Sequence, residues 1–159
     1  MFTSFEIPTG VTLEITEDDD NIYIENYIIP KGVRKEDLKA RENIIWSMYS
    51  RWVAENPEKK CYNYDLQSDI FVMFKSITET AEKAARNYKS TMAFHAMDSA
   101  LKYARKTSQD KPHSKRQAEF ESIYIMQVRT EMFKPYFDKI KLTVGVKRNE
   151  KKSCTALQR

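Results

Sequence analysis

The pattern of hydrophobic and polar positions is clearest near the C-terminus of the chain. Ile140, Leu142, Val144 and Val146 fall on one face of a period-2 stretch, and Lys139, Lys141, Thr143, Gly145 and Lys147 on the other. The spacing predicts a strand that seals a core with one face and shows cations, a hydroxyl and a glycine on the other. Arg148-Asn149-Glu150-Lys151 reads as a turn into a final strand, Ser153 to Leu157. Upstream, Glu119 to Arg129 reads as a long strand carrying Ile123, Tyr124, Ile125, Met126 and Val128, followed by a loop or single helical turn over 132–137 that Pro135 breaks. At the other end, residues 11–16 and 22–29 alternate or are rich in β-branched and aromatic residues. They predict two strands joined across Glu17-Asp18-Asp19-Asp20-Asn21, where Asp and Asn suit a turn. The same acidic run could hold a hard cation, but it lacks the glycine and distal glutamate of a calcium loop, so a turn is the reading adopted.

Between these strands the period changes to that of a helix. Leu38, Ile45 and Trp52 recur every seven residues with Arg41, Met48 and Tyr49 between them, predicting a helix from about 35 to 55. Trp46 and Trp52 fall on different faces of it. Asn56-Pro57 ends it, because the residue before proline is pushed out of the helical region. A short strand is expected over Asp69 to Phe74, after the stretch Cys61-Tyr62-Asn63-Tyr64. A helix from about Thr78 to Arg86 follows, capped by Ser76 or Thr78. A second one, capped by Ser90 or Thr91, is expected to run unbroken to about Lys106 on a stripe of Ala93, Met97, Ala100, Leu101 and Ala104. That periodicity turns His95 outward with Asp98, Ser99 and Lys102. Residues 107–117, polar and broken by Pro112, read as an exposed loop. The expected fold is therefore α+β, with helices packed on one face of an antiparallel sheet and the C-terminal strands forming its centre. It is read as a single domain over 1–159, with residues 1–75 supplying a hairpin, helix and strand and 76–159 a helix-helix-three-strand core.

Composition adds that no outside help is needed to hold such a core. With 159 residues, 41% of them hydrophobic, the chain can bury one without metal or disulfides. No apolar run approaches membrane-spanning length, and no basic segment followed by an apolar one opens the chain, so neither a span nor a signal peptide is expected. Cys61 and Cys154 stand alone, as free thiols of a cytoplasmic protein would. Charge is divided unevenly. Residues 1–30 hold seven acids and no lysine or arginine, so the net +4 of the chain leaves +11 on the rest. From Lys139 to Arg159 seven basic residues face one acid, Glu150. A polyanionic partner fits that asymmetry, with the acidic N-terminal region able to compete for the same surface. An ordinary solvated surface is the plainer reading.

Several chemistries are disfavoured by what is missing. The three glycines do not cluster into a phosphate-binding loop, and there is no His-Glu-x-x-His pair and no nucleophile elbow. Two histidines make a histidine-carboxylate-hydroxyl triad hard to assemble. What survives is chemistry that lysine, arginine, tyrosine and hydroxyl groups support, such as stabilising charge on a phosphodiester, or binding alone.

Glu79-Thr80-Ala81, Lys83-Ala84-Ala85, Tyr88, Ser90-Thr91, Ile123 to Met126, Lys141 to Val146 and Cys154-Thr155-Ala156 together cover a helix, helix, three-strand order over about 76–158. In these features the chain resembles the barnase–EndoU–colicin–RelE-like fold group, in particular the domains of large polyvalent proteins of phages and bacterial mobile elements. The resemblance implies an RNase-like fold whose open sheet face, with nearby helix residues, cuts or binds RNA without metal or cofactor. The residues it puts forward for chemistry are Lys83, Ser90, Thr91, His113, Lys141, Thr143 and Thr155. For holding nucleic acid, the basic character of the 107–117 loop and of the C-terminal strands puts forward Lys111, Lys115, Arg116, Lys139, Lys147, Arg148, Lys151 and Lys152. RNA cleavage by 2′-hydroxyl attack needs a base, an acid and donors to the phosphorane. Lys141, Lys147 and Arg148 are candidate donors, and Thr143 or Thr155 could orient the phosphate. The base is the weak point, since His95 is expected to face outward and His113 to sit in a loop. The alternative is a catalytically silent accessory module that binds nucleic acid or a protein partner from the same element.

Overall fold

A computed structural model describes residue 7 and residues 13–112, 119–149 and 151–158. The chain is α+β, with a three-stranded sheet, a group of helices and a six-stranded sheet. The small sheet is a meander of β1 (Ile15–Glu17), β2 (Asn21–Ile24) and β3 (Tyr27–Pro30). The acidic run is a turn, as expected: Asp18 Oδ1 accepts the N–H groups of Asp20 and Asn21 at 2.9 and 2.8 Å. The single strand expected over 22–29 is two strands instead. Ile24 pairs with Tyr27, and Glu25 takes a positive φ of 46° in the two-residue connection. Residues 11 and 12 of the expected first strand lie outside the described residues.

The long helix α1 (Lys35–Glu55) forms where its pattern places it and buries Arg41, Ile45, Met48, Tyr49 and Trp52. Asn56 closes it, donating its N–H to the carbonyls of Trp52 and Val53 just before Pro57. Arg41 is only 1% exposed, and its head is met by carbonyl oxygens. Its Nε donates to Ala85 O and its Nη1 to Pro30 O and Gly32 O at 2.6 and 2.7 Å, tying α1 to the end of the next helix and to the small sheet. The two tryptophans separate as expected. Trp52 is buried and donates its indole N–H to Asp98, while half-buried Trp46 packs on Phe74 with ring centroids 5.0 Å apart.

β4 (Lys60–Asn63) and β5 (Ser68–Phe71) form a hairpin that leads into α2 (Phe74–Ala85), α3 (Tyr88–Ala93), a 3-10 turn (Phe94–Ala96) and α4 (Met97–Tyr103). Four expectations are corrected here. Phe74 opens α2 and does not end a strand, because β5 stops at Phe71 and Met73 is the last extended residue before the helix. Thr78 and Thr80 donate their hydroxyls back to Phe74 O and Ser76 O inside the helix, so the expected cap is not made. Asn87 caps α3, its side chain accepting from the N–H groups of Lys89 and Ser90, in the place given to Ser90 or Thr91. The helix expected to run to Lys106 is broken by the 3-10 turn and stops at Tyr103, and Ala104 turns the chain into β6 (Arg105–Asp110), which takes in the first four residues of the expected loop.

β7 (Ser122–Arg129), β8 (Lys139–Val146) and β9 (Lys152–Gln158) complete the larger sheet in the order β4-β5-β9-β8-β7-β6. The pairs are antiparallel except β5 with β9, which run parallel. The C-terminal strands hold the centre of the sheet. Ile140, Leu142 and Val144 are fully buried and pair with Val128, Met126 and Tyr124 of β7. α2, α3 and α4 pack on this side, while α1 and α3 meet β3. One continuous hydrophobic cluster joins both sheets and the helices. No helix of the described residues is long and apolar enough to cross a membrane.

Candidate nucleic-acid interface

The alternation of β8 fixes two different surfaces. Side chains paired across antiparallel strands share a face, so the side of the sheet away from the helices is read directly from the register. Arg129, Gln127 and Ile125 of β7 stand opposite Lys139, Lys141 and Thr143 of β8 there. Ala156 and Gln158 of β9 stand opposite Thr143 and Lys141 on the other flank, and β5 adds Phe71 beside Ser153. Among the described residues neither Lys139 nor Lys141 makes an ion pair, so both ammonium groups keep their charge for a partner. Arg129 is held by Asp138 at 2.7 Å. Farther along, Lys147 is 3.4 Å from Glu119, Arg148 is exposed, and the Lys151 ammonium lies 4.3 Å above the centre of the Phe71 ring.

The centre of this face is kept low by small side chains. At Gly145 the reason is packing: a Cβ there would come within 2.6 Å of the Phe120 ring, which lies flat on the bare backbone. Phe120 is only 7% exposed and covers that part of the strand between Thr143 and Lys147. The expected strand start at Glu119 is thus corrected. Pairing begins at Ser122, because Phe120 is folded back onto the sheet. Thr155 sits where β9 bulges and donates its hydroxyl to Thr143 O at 3.2 Å, which ties the two central strands together.

The residues put forward for chemistry do not converge. Lys141 and Thr143 are on the open face. Lys83 is exposed on α2 and Ser90 lies on α3, both in the helical layer on the opposite side of the sheet. Thr91 is completely buried, with its hydroxyl on Ala84 O and Asn87 O, which makes it a packing residue. His113, Lys115 and Arg116 lie outside the described residues, and Lys111 is exposed just past β6. Lys139, Lys147, Arg148 and Lys151 do fall on or beside the open face. Lys152 pairs with Ile70 at the β5–β9 junction, at a position of the other parity.

His95 is the largest correction. It is not outward-facing: its side chain is only 12% exposed, and Nε2 lies 3.1 Å from Glu25 Oε2 of the small sheet. The contact is misaligned, so both ring nitrogens are buried without a well-directed hydrogen bond. Tyr27 meets the ring edge-on at 6.4 Å. The His95 contact, together with Arg51 at 3.2 Å, holds the Glu25 carboxyl below its ordinary value. This histidine therefore faces the small sheet, away from Lys141 and Thr143. The signal that could have found it is the departure from a continuous helix at Phe94–Ala96, which no local sequence feature marks. The cysteines offer no nucleophile either, since burial pushes the thiols of Cys61 and Cys154 up to about 12. Among the described residues no group of three His, Cys, Asp or Glu side chains could hold a metal ion.

No family model matches the chain, and no curated protein or solved structure matches it.

Proposed function

We propose that this protein binds nucleic acid across the open face of its larger sheet, with Lys139 and Lys141 neutralising phosphates and Gln127 and Thr143 offering hydrogen bonds to the backbone. The observation that carries the reading is that, among the described residues, those two lysines have no ionic partner and stand on the side of a central strand away from the helices. Ammonium groups placed so release counterions when a polyanion docks, which makes the association strong at low salt and weak at high salt. RNA is the partner implied by the resemblance to RNase-like domains of phages and mobile elements, and the chain fits an RNA-binding module of such an element.

Cleavage is the stronger form of the same proposal. It requires a base within reach of the sheet face, and His95 is turned to the small sheet, which favours binding over cutting. Labelled RNA and DNA incubated with the protein at two salt concentrations, with shifts and products read on one gel, separate the possibilities. A salt-sensitive shift without fragments is the expected result. Fragments that vanish in a Lys141→Ala/Arg148→Ala variant would make the face a nuclease site. Absence of both shift and fragments would overturn the proposal.

A further inference from the structure

On the same face, three strands from Lys141, the β4 edge carries a ladder of tyrosines. Tyr62 and Tyr64 are 46% and 58% exposed, and among the described residues Phe74 alone of the other aromatics is exposed. Their ring centroids are 5.6 Å apart, and Tyr64 is 5.5 Å from Tyr103 at the end of α4. The ladder therefore starts on the open face and wraps the edge of the sheet. Tyr62 stands opposite Asp69, and Lys60 opposite Phe71, placing Tyr62 and Phe71 on the side that also carries Ser153, Thr143 and Lys141. Lys60 lies between two carboxylates, 3.5 Å from Asp69 and 3.2 Å from Glu58. Nothing among the described residues pairs with the outer side of β4.

Large aromatic rings left in water forgo the gain of burying their apolar surface, so a contiguous exposed set points to a partner. Folding accounts for Phe71, which is half-covered by Lys151, but not for the outward surfaces of Tyr62 and Tyr64. Three strand spacings, roughly 14 Å, separate this ladder from the lysine row. Flat rings at one end and ammonium groups at the other, with Phe71, Ser153 and Ala156 on the strands between, match unstacked bases and the phosphates that follow them. Paired bases offer no free ring faces except at their ends. Among the described residues no helix or ribbon projects from this surface to enter a duplex groove.

We infer that the Tyr62–Tyr64–Tyr103 edge is a base-stacking platform, and that the ligand of the face is single-stranded nucleic acid running from β4 towards β8. This inference rests on the proposed nucleic-acid reading and narrows it to one strand class. The test compares a labelled single-stranded oligonucleotide of about a dozen nucleotides with its duplex, by fluorescence anisotropy. The proteins are wild type, Tyr62→Ala, Tyr64→Ala, Tyr62→Phe and Lys139→Ala/Lys141→Ala, each checked for folding by circular dichroism.

Wild type should prefer the single strand. Each alanine variant should weaken it by about fivefold to a hundredfold, the range of one lost stacked base, with the salt dependence unchanged. Tyr62→Phe keeps the ring and should bind as wild type. The double lysine variant should weaken binding and flatten the salt dependence. If nucleic acid binds but the alanine variants match wild type, or the duplex binds as tightly, the stacking platform is wrong and the basic face stands. If no nucleic acid binds to any of the proteins, both readings fall.

Discussion

The two faces of β8 are built from alternate residues of one strand, yet they obey different constraints. On the helix side, Ile140, Leu142 and Val144 have no exposed surface and each has a fixed cross-strand neighbour. On the open side, Lys139, Lys141 and Thr143 keep part of their surface in water, and the two lysines have no ionic partner among the described residues. A residue of the first kind is held by everything around it, so changing it costs stability. A residue of the second kind is held by little, so what it contributes must be sought outside the fold. The difference teaches that stability and function can be separated here by stepping one residue along a single strand.

The contrast breaks most visibly at Leu142. Truncation to alanine removes a fully buried side chain between Met126 and Leu157 and should destabilise by about 2–5 kcal/mol in denaturant unfolding. A loss below about 1 kcal/mol would mean that the helix side is loosely packed. The exception on the open face is Gly145, where the Phe120 ring replaces solvent. Gly145→Val should cost about 1–3 kcal/mol as the ring is pushed off the strand. Phe120→Ala combined with Gly145→Ala should lose less than the two changes summed, because the second change then meets open space. Lys139→Ala and Lys141→Ala should each shift stability by less than about 0.5 kcal/mol, measured in the same way.

The smallest effect lies at the far side of the helices, where Glu25 meets His95 and Arg51. A carboxyl held below its ordinary value of 4.5 lends stability above that value and loses it as pH falls through the lowered one. Thermal unfolding followed from about pH 5 down to pH 3 should therefore show a steeper decline for wild type than for Glu25→Gln. Equal declines would show that the misaligned contact carries no energy. With 41% of the Glu25 side chain exposed, solvent keeps the effect modest.

The sequence pattern reveals what one-sided burial controls. The alternation of Ile140 to Val146 and the stripe of Ile45, Met48 and Trp52 are each visible because one face is apolar and the other is not. Arg105–Asp110 escapes because an edge strand with polar residues on both faces has no alternation, and Lys60–Asn63 escapes because four residues are too few to show one. The helix from Tyr88 to Tyr103 reads as continuous, since its alanines keep helical spacing across the 3-10 turn. Tertiary contacts decide the break, and His95 is misplaced with it. For the candidate interface, the lysines of β8 are legible from local spacing. The tyrosine ladder is not, because Tyr64 and Tyr103 meet only through the fold. The grouping of Lys83, Ser90 and Thr91 with Lys141 fails for the same reason: nothing local says that a sheet stands between them.

The measurement that bears most directly on the central claim is the salt dependence of binding to single-stranded RNA, for wild type and for Lys139→Ala/Lys141→Ala. If both ammonium groups neutralise phosphates, the logarithm of the affinity should fall with the logarithm of salt concentration, and the variant should show a slope shallower by about 1.4, at about 0.7 per phosphate contact. A variant that binds with the wild-type affinity and slope would contradict the assignment of this face as the nucleic-acid interface.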